Sequence, residues 1–163
     1  MGKEIERKFL LKNDSWRGLA SGTVYRQGYL SSDVERAVRI RMINDTAFLT
    51  IKGESRGATR LEFEYEIPID DASEMLTKLC QRPIIEKTRY KIEYAGMIWE
   101  IDEFAGDNEG LIVAEVELED ENQAVEIPGW AGQEVTDDPR YLNANLIKHP
   151  YSEWNMKEKG EKD

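Results

Sequence analysis

A chain of 163 residues has the length of one domain, enough to bury a single core and too little for a second. Apolar residues make up 40% of it without forming the run of roughly 18 to 20 that a membrane helix needs. A soluble protein with no membrane partner is therefore expected. The formal net charge of -11 argues against a general nucleic-acid binder, whose footprint would be a basic face, so binding has to be explained by local charge.

The chain starts with acidic residues and no apolar segment of the signal-peptide kind, which predicts a cytoplasmic protein. From there the dominant pattern is strict alternation, which places successive side chains on opposite faces of a strand. It predicts strands over residues 4–10, 24–30, 37–43, 47–52, 60–67, 84–93, 97–104 and 111–118. Asn44-Asp45 and Ala95-Gly96 break the runs as short hairpin turns do, giving a mostly meandering antiparallel sheet. Between the fifth and sixth strands, Ala72, Met75, Leu76, Leu79 and Cys80 recur at helical spacing and form one apolar stripe. Asp70 or Asp71 is the expected N-cap, Glu74 its capping-box partner, and Pro83 bars continuation. Cys80 is the only cysteine and lies on the buried stripe, so it reads as a packed structural thiol. His149 is equally alone. A weaker helix is expected over residues 140–148, after the turn at Asp137-Asp138-Pro139. The domain then spans residues 1–150, with 151–163 a charged tail expected to be disordered.

The informative feature is which strand face carries charge. Glu4, Glu6 and Lys8 share one face of the first strand, with Arg7 interrupting the other. Arg39 and Arg41 oppose Val38, Ile40 and Met42, while Thr50 and Lys52 oppose Leu49 and Ile51. Glu62, Glu64 and Glu66 oppose Leu61, Phe63, Tyr65 and Ile67. Lys87, Arg89 and Lys91 share a face, as do Glu100 and Asp102, and then Glu115 and Glu117. An ordinary antiparallel sheet also turns polar residues to water. Here, however, the polar faces are almost wholly ionic and segregated by sign from strand to strand. Like charges on one strand face are costly unless opposite charge lies beside them. The pattern predicts a closed eight-stranded antiparallel barrel, mainly β with flanking helices, whose lumen is charged. In such a slot Lys and Arg hold phosphate oxygens, and clustered carboxylates supply the hard ligands that Mg²⁺ or Mn²⁺ prefers. No Gly-rich phosphate loop, nucleophile elbow or zinc-spaced His pair competes with this reading.

Glu4-Ile5-Glu6-Arg7-Lys8 resembles the E-x-E-x-K signature of the CYTH, or triphosphate tunnel metalloenzyme, superfamily. Arg39-Ile40-Arg41, Thr50-Ile51-Lys52, Glu62-Phe63-Glu64, Glu86-Lys87-Thr88-Arg89-Tyr90, Glu100-Ile101-Asp102 and Glu115-Val116-Glu117 resemble its successive tunnel strands in order, covering residues 1 to about 148. Gln27-Gly28-Tyr29-Leu30 and Glu134-Val135-Thr136 with Arg140-Tyr141 look most like the small bacterial members, many of them inorganic triphosphatases. The resemblance implies a metal-dependent triphosphatase that cleaves inorganic triphosphate (tripolyphosphate) to pyrophosphate and phosphate, with two Mg²⁺ or Mn²⁺ ions per site. A class IV adenylyl cyclase, a thiamine or nucleoside triphosphatase and a non-catalytic polyanion-binding module are the alternatives. It implies that Lys8, Arg39, Arg41, Lys52, Lys87 and Arg89 bind phosphate. Glu4, Glu6, Glu62, Glu64, Asp102, Glu115 and Glu117 would hold metal. Glu4 and Glu117 are the candidate bases, and Tyr29 would close over or orient the substrate. Arg60, Glu66, Lys91 and Glu100 are expected nearer a tunnel mouth. The partner is a small triphosphate, and the protein a monomer or homodimer.

Overall fold

Residues 2–159 are described by the computed structural model. The chain runs β1 (Lys3–Leu11), β2 (Gly22–Ser31), β3 (Arg36–Ile43), β4 (Thr46–Gly53), β5 (Thr59–Ile67), α1 (Ile69–Lys78), β6 (Ile85–Tyr94), β7 (Met97–Phe104), β8 (Ile112–Glu117), β9 (Ala131–Glu134) and α2 (Asn143–Lys148). Hydrogen-bonded neighbours follow the order β5-β4-β3-β2-β6-β7-β8-β1-β9, and β1 pairs with β5 as well. The eight expected strands therefore close into an antiparallel barrel, and β9 is an extra strand that alternation did not reveal. β1 is the closing piece. Lys3 to Ile5 pair with β5, Glu6 to Leu10 with β8, and Phe9 and Leu11 with β9.

Local chemistry explains the turns and the close packing. Ala95 (φ 51°) and Gly96 (φ 80°) both take the left-handed conformation that a two-residue hairpin between Tyr94 and Met97 demands. Gly28 on β2 has a packing reason: a Cβ there would lie 2.8 Å from Cys80 Cβ and 3.0 Å from Leu76 Cδ2, so its absence lets α1 lie against the sheet.

Two apolar cores lie outside the barrel wall, and a third closes one end of the barrel from within, where Phe104 and Val113 share the inward parity of Asp102. One, under α1, joins Ile40, Ala47, Ala72, Leu76 and Cys80, which confirms the thiol as a packed one. A second gathers Phe9, Trp16, Trp99, Val116 and Trp130. A third packs Phe104, Val113, Tyr141, Leu146, Ile147 and Trp154 around α2. The outer face of β5 has no such cover over most of its length, and Leu61, Phe63 and Tyr65 stand exposed there.

Two expectations need correction. Pro68 is the N-cap of α1 and makes no side-chain capping bond; Asp70 and Asp71 fall inside the first turn, and Glu74 bonds Lys78 at 2.8 Å instead of reaching back. Pro68 is held extended by its ring and the helix starts behind it, so no Asx cap is required. The stretch after residue 150 also differs from the expected tail. Trp154 is buried, its Nε1 donates to the His149 carbonyl at 2.9 Å, and Glu158 accepts a bond from the Asn155 amide. One large aromatic side chain outweighs the local polarity here. Residues 160–163 of that predicted tail lie outside the described residues.

Candidate active site

Alternation and closure together aim the charged faces inward. Glu4, Glu6, Lys8, Tyr29, Arg39, Arg41, Lys52, Glu62, Glu64, Lys87, Arg89, Glu115 and Glu117 all line one lumenal cavity of about 180 Å³. Arg60 and Glu100 line it too, whereas Glu66 and Lys91 do not. Asp102, expected among the carboxylates facing the cavity, is instead held behind the cations. Arg89 grips it through two bonds of 2.7 and 2.8 Å, Lys87 Nζ lies 2.8 Å from Oδ2, and its side chain is 1% exposed.

The lumen is polarised. Arg39, Arg41, Lys87 and Arg89 gather at one side with Asp102 as the buried anion between them. The two cations and burial act on Asp102 in opposite senses. Burial alone would raise its pKa, and the adjacent Lys87 and Arg89 overcome that and bring it down to about 2. Arg89 takes the better share of this carboxylate. Lys87 is pushed down to about 7 by burial, with Arg89 and Arg41 adding repulsion. Arg41 falls to about 9 through burial and the neighbouring Arg39 and Arg89. Its guanidinium rests on the Tyr25 ring, and its Nε donates to Gln27, with no carboxylate in ion-pair contact among the described residues.

Carboxylates dominate the other side. Lys52 stands 3.0 Å from Glu4 and 3.1 Å from Glu62, while Glu64 accepts from Thr50 at 2.8 Å and lies 3.5 Å from Arg39. Burial together with Glu115 and Glu4 raises Glu6 well above the usual carboxylate range. Burial would raise Glu115 as well, but Lys8 and the bond from Glu6 hold it well below. Glu117 is raised by burial and by Glu4, Glu62 and Glu100, and makes no ion pair among the described residues. No three carboxylates stand preassembled as a metal cage among the described residues. Lys52 and Lys8 lie between them as internal counterions. The donor set is nonetheless all hard oxygen, with like charges crowded together, and so fits a hard divalent cation.

Sequence reasoning placed Thr50 on the inward face with Lys52 but gave it no role, and it missed Gln27 and Asn143. Gln27 lies at the inward parity of β2, beside Tyr25 and Tyr29, and parity alone would have found it. Asn143 could not be found that way, because α2 reaches the cavity only through the tertiary fold.

A closed barrel with cations on one side of its lumen and carboxylates on the other defines a tunnel protein with a charged lumen. The chain belongs to the CYTH domain family, whose model matches residues 2–151. It is 55% identical over 158 residues to an inorganic triphosphatase of Acetivibrio thermocellus, covering 97% of this chain and all of the relative. An inorganic triphosphatase of Nitrosomonas europaea is 39% identical over 147 residues, covering 88% and 95% of the two chains. The crystal structure of an inorganic triphosphatase superposes with a TM-score of 0.64 at 36% identity, over 88% of this chain and 93% of that one. No helix among the described residues is long and apolar enough to cross a membrane.

Proposed function

We propose that the protein hydrolyses inorganic triphosphate to pyrophosphate and phosphate inside the barrel. The observation that carries this reading is that one lumen holds both Arg41, a cation with no carboxylate in ion-pair contact, and Glu117, a carboxylate with no cation in ion-pair contact, among the described residues. An isolated tunnel leaves both charges wanting, and a metal-bound polyphosphate satisfies both at once. The wall offers a nucleobase little apolar surface: Tyr29, Ala37, Leu142 and Ala144 are its apolar members, and the rest is charged or amide. This favours hydrolysis over cyclisation of a nucleotide.

In this reading Arg39, Arg41, Lys87 and Arg89 bind non-bridging phosphate oxygens on one side, and Lys8 and Lys52 turn from their carboxylates to the phosphates nearer the acidic side. Arg and Lys hold phosphate by charge-assisted bonds, Arg with two donors in a fixed fork. Asp102 acts behind them as the positioning anion, and no longer counts among the metal ligands. Glu4, Glu6, Glu62, Glu115 and Glu117 would hold the divalent ions, Mg²⁺ or Mn²⁺, with Glu64 bound to Thr50 and Arg39 as a further donor. A bound divalent ion supplies charge neutralisation and a more acidic water. The attacking water comes in line with the scissile bond and gives its proton to Glu117, which the repulsion of Glu4, Glu62 and Glu100 makes the more basic of the two candidate bases. Glu4 is held lower because Lys52 overcomes its burial. Tyr29, on the wall beside Arg39, orients the phosphate chain. A cytoplasmic location remains part of this proposal.

The test is release of phosphate from tripolyphosphate, ATP and thiamine triphosphate, each with Mg²⁺ and with Mn²⁺. Preference for tripolyphosphate with equimolar pyrophosphate is expected. Cyclic AMP as the main product from ATP, or no turnover of any substrate, would sink the reading.

A further inference from the structure

Three side chains at the cationic side form a hydrogen-bond relay whose direction is forced. Arg41 Nε donates to Gln27 Oε1 at 2.8 Å, and arginine has no acceptor, so the oxygen end of Gln27 must face it. The amide nitrogen of Gln27, a residue fully enclosed by protein, therefore points the other way and donates to Asn143 Oδ1 at 2.8 Å. Lys87 Nζ reaches the same oxygen at 2.9 Å as a second donor. Arg41 fixes the Gln27 amide and the Gln27 nitrogen in turn fixes the oxygen of Asn143, so the Asn143 amide cannot be reversed. Its oxygen is saturated, and its Nδ2 has no acceptor among the described residues, on a side chain that lines the lumenal cavity. The platform beneath is firm. Ala144, Leu146 and Ile147 of α2 are buried against Tyr141 and Trp154, and Asn145 Nδ2 ties the helix to the Pro139 carbonyl at 2.7 Å.

Taking the tunnel as a triphosphate site, we propose that Asn143 is a substrate-binding residue whose Nδ2 donates to a non-bridging oxygen of the phosphate chain, and that Gln27 is the positioning residue that aims it. An uncharged donor suits this place. Four cations already crowd there, and another would add repulsion, whereas an amide completes the oxygen's coordination without charge. Gln27 also spaces Arg41 from Lys87, so the two cations and the amide present a fixed set of donors to the incoming anion.

The experiment uses the full chain with Mg²⁺, tripolyphosphate for kinetics, and its imido analogue, in which NH replaces the bridging oxygens, for calorimetric binding. Asn143→Asp keeps an oxygen for both Lys87 and Gln27 but loses the donor and faces the substrate with negative charge. Asn143→Ala removes the relay. KM and the dissociation constant should rise about tenfold or more in N143D and about three- to tenfold in N143A, with kcat changing less than KM and the N143D melting temperature no lower than wild type. Gln27→Leu should raise KM in the wild-type background and add little in the N143A background, because both act through one relay. A folded N143D that binds the analogue within twofold of wild type would overturn the role of Asn143. Full additivity of Q27L and N143A would overturn that of Gln27. If wild type itself neither binds the analogue nor cleaves tripolyphosphate, the reading of the tunnel falls first and this inference with it.

Discussion

Lys87 shows at the residue scale how the tunnel is held ready for an anion. Its ordinary value of 10.5 is pushed down to about 7 by burial among cations, although it touches Asp102. Between those two values the unfolded chain binds a proton that the folded chain does not, so this residue makes stability rise with pH across that window. Its contribution is complete above about 10.5 and is lost as pH falls through about 7. Lys87→Met should therefore stabilise the unliganded protein at pH 7, by about 1 kcal/mol or more, with the gain shrinking toward pH 10. Melting curves of both proteins across that range check it; a gain that grew with pH would contradict the assignment. The same shift predicts that tripolyphosphate binding near pH 8 takes up a proton as Lys87 recharges. Calorimetry in buffers of different ionisation enthalpy would detect this.

Strands behave less uniformly than their sequences suggest. Glu115 and Glu117 alternate on β8 as equals, and reading them in sequence predicts that neutralising both relieves repulsion. The register separates them. Glu115 lies opposite Lys8, whose side chain is 8% exposed, whereas Glu117 lies opposite Glu6, and the repulsion of Glu4, Glu62 and Glu100 outweighs the attraction of Lys52 there. Glu115→Gln should thus destabilise the protein, by about 1–3 kcal/mol, since Lys8 stays buried without its partner. Glu117→Gln should raise the melting temperature slightly, within about 1 kcal/mol, while lowering kcat by two or more orders of magnitude if Glu117 takes the proton. Separate melts and phosphate-release assays of the two single variants decide between equal and opposed effects. α2 depends in turn on the segment that follows it, because Trp154 packs edge to face with Tyr141, ring centroids 5.3 Å apart, and fills the third core. Trp154→Ala should cost about 3–5 kcal/mol, and raise KM as α2 loosens from the cavity, measured by denaturant unfolding and by kinetics.

For the whole molecule, the proposed function sets a net charge of -11 against uptake of a polyanion, and a bound divalent metal would reconcile the two. Divalent ion that binds only the folded barrel should stabilise it by about 2.7 kcal/mol at 100 times its dissociation constant, and excess EDTA should abolish turnover. A metal-independent melting temperature together with full activity in EDTA would show that the carboxylates serve another purpose. Closure is what brings the parts together: Glu6 and Glu117 are paired residues across β1 and β8 although they are separated by most of the chain.

Alternation was a sufficient guide to most of the barrel because the period of a strand is fixed by backbone geometry, so which side chains share a face can be read without knowing the neighbouring strand. Arg39 with Arg41, Glu62 with Glu64 and Glu115 with Glu117 were legible for that reason, and so was the apolar stripe of α1 at Ala72, Leu76 and Cys80, whereas Leu79, expected on it, stands exposed. Pairing, register and depth were not. Those are decided by which strands meet, and β1 meets three. Only the closed sheet could put Lys52 between Glu4 and Glu62, withdraw Asp102 behind Arg89 and Lys87, and leave Arg41 and Glu117 without ion-pair partners. Only packing around Trp154 could carry Asn143 into the lumen and turn a stretch of polar residues into part of the core. A charge pattern in one dimension specifies which groups face inward; the free energy of each group depends on what lies opposite, and that exists only in three dimensions.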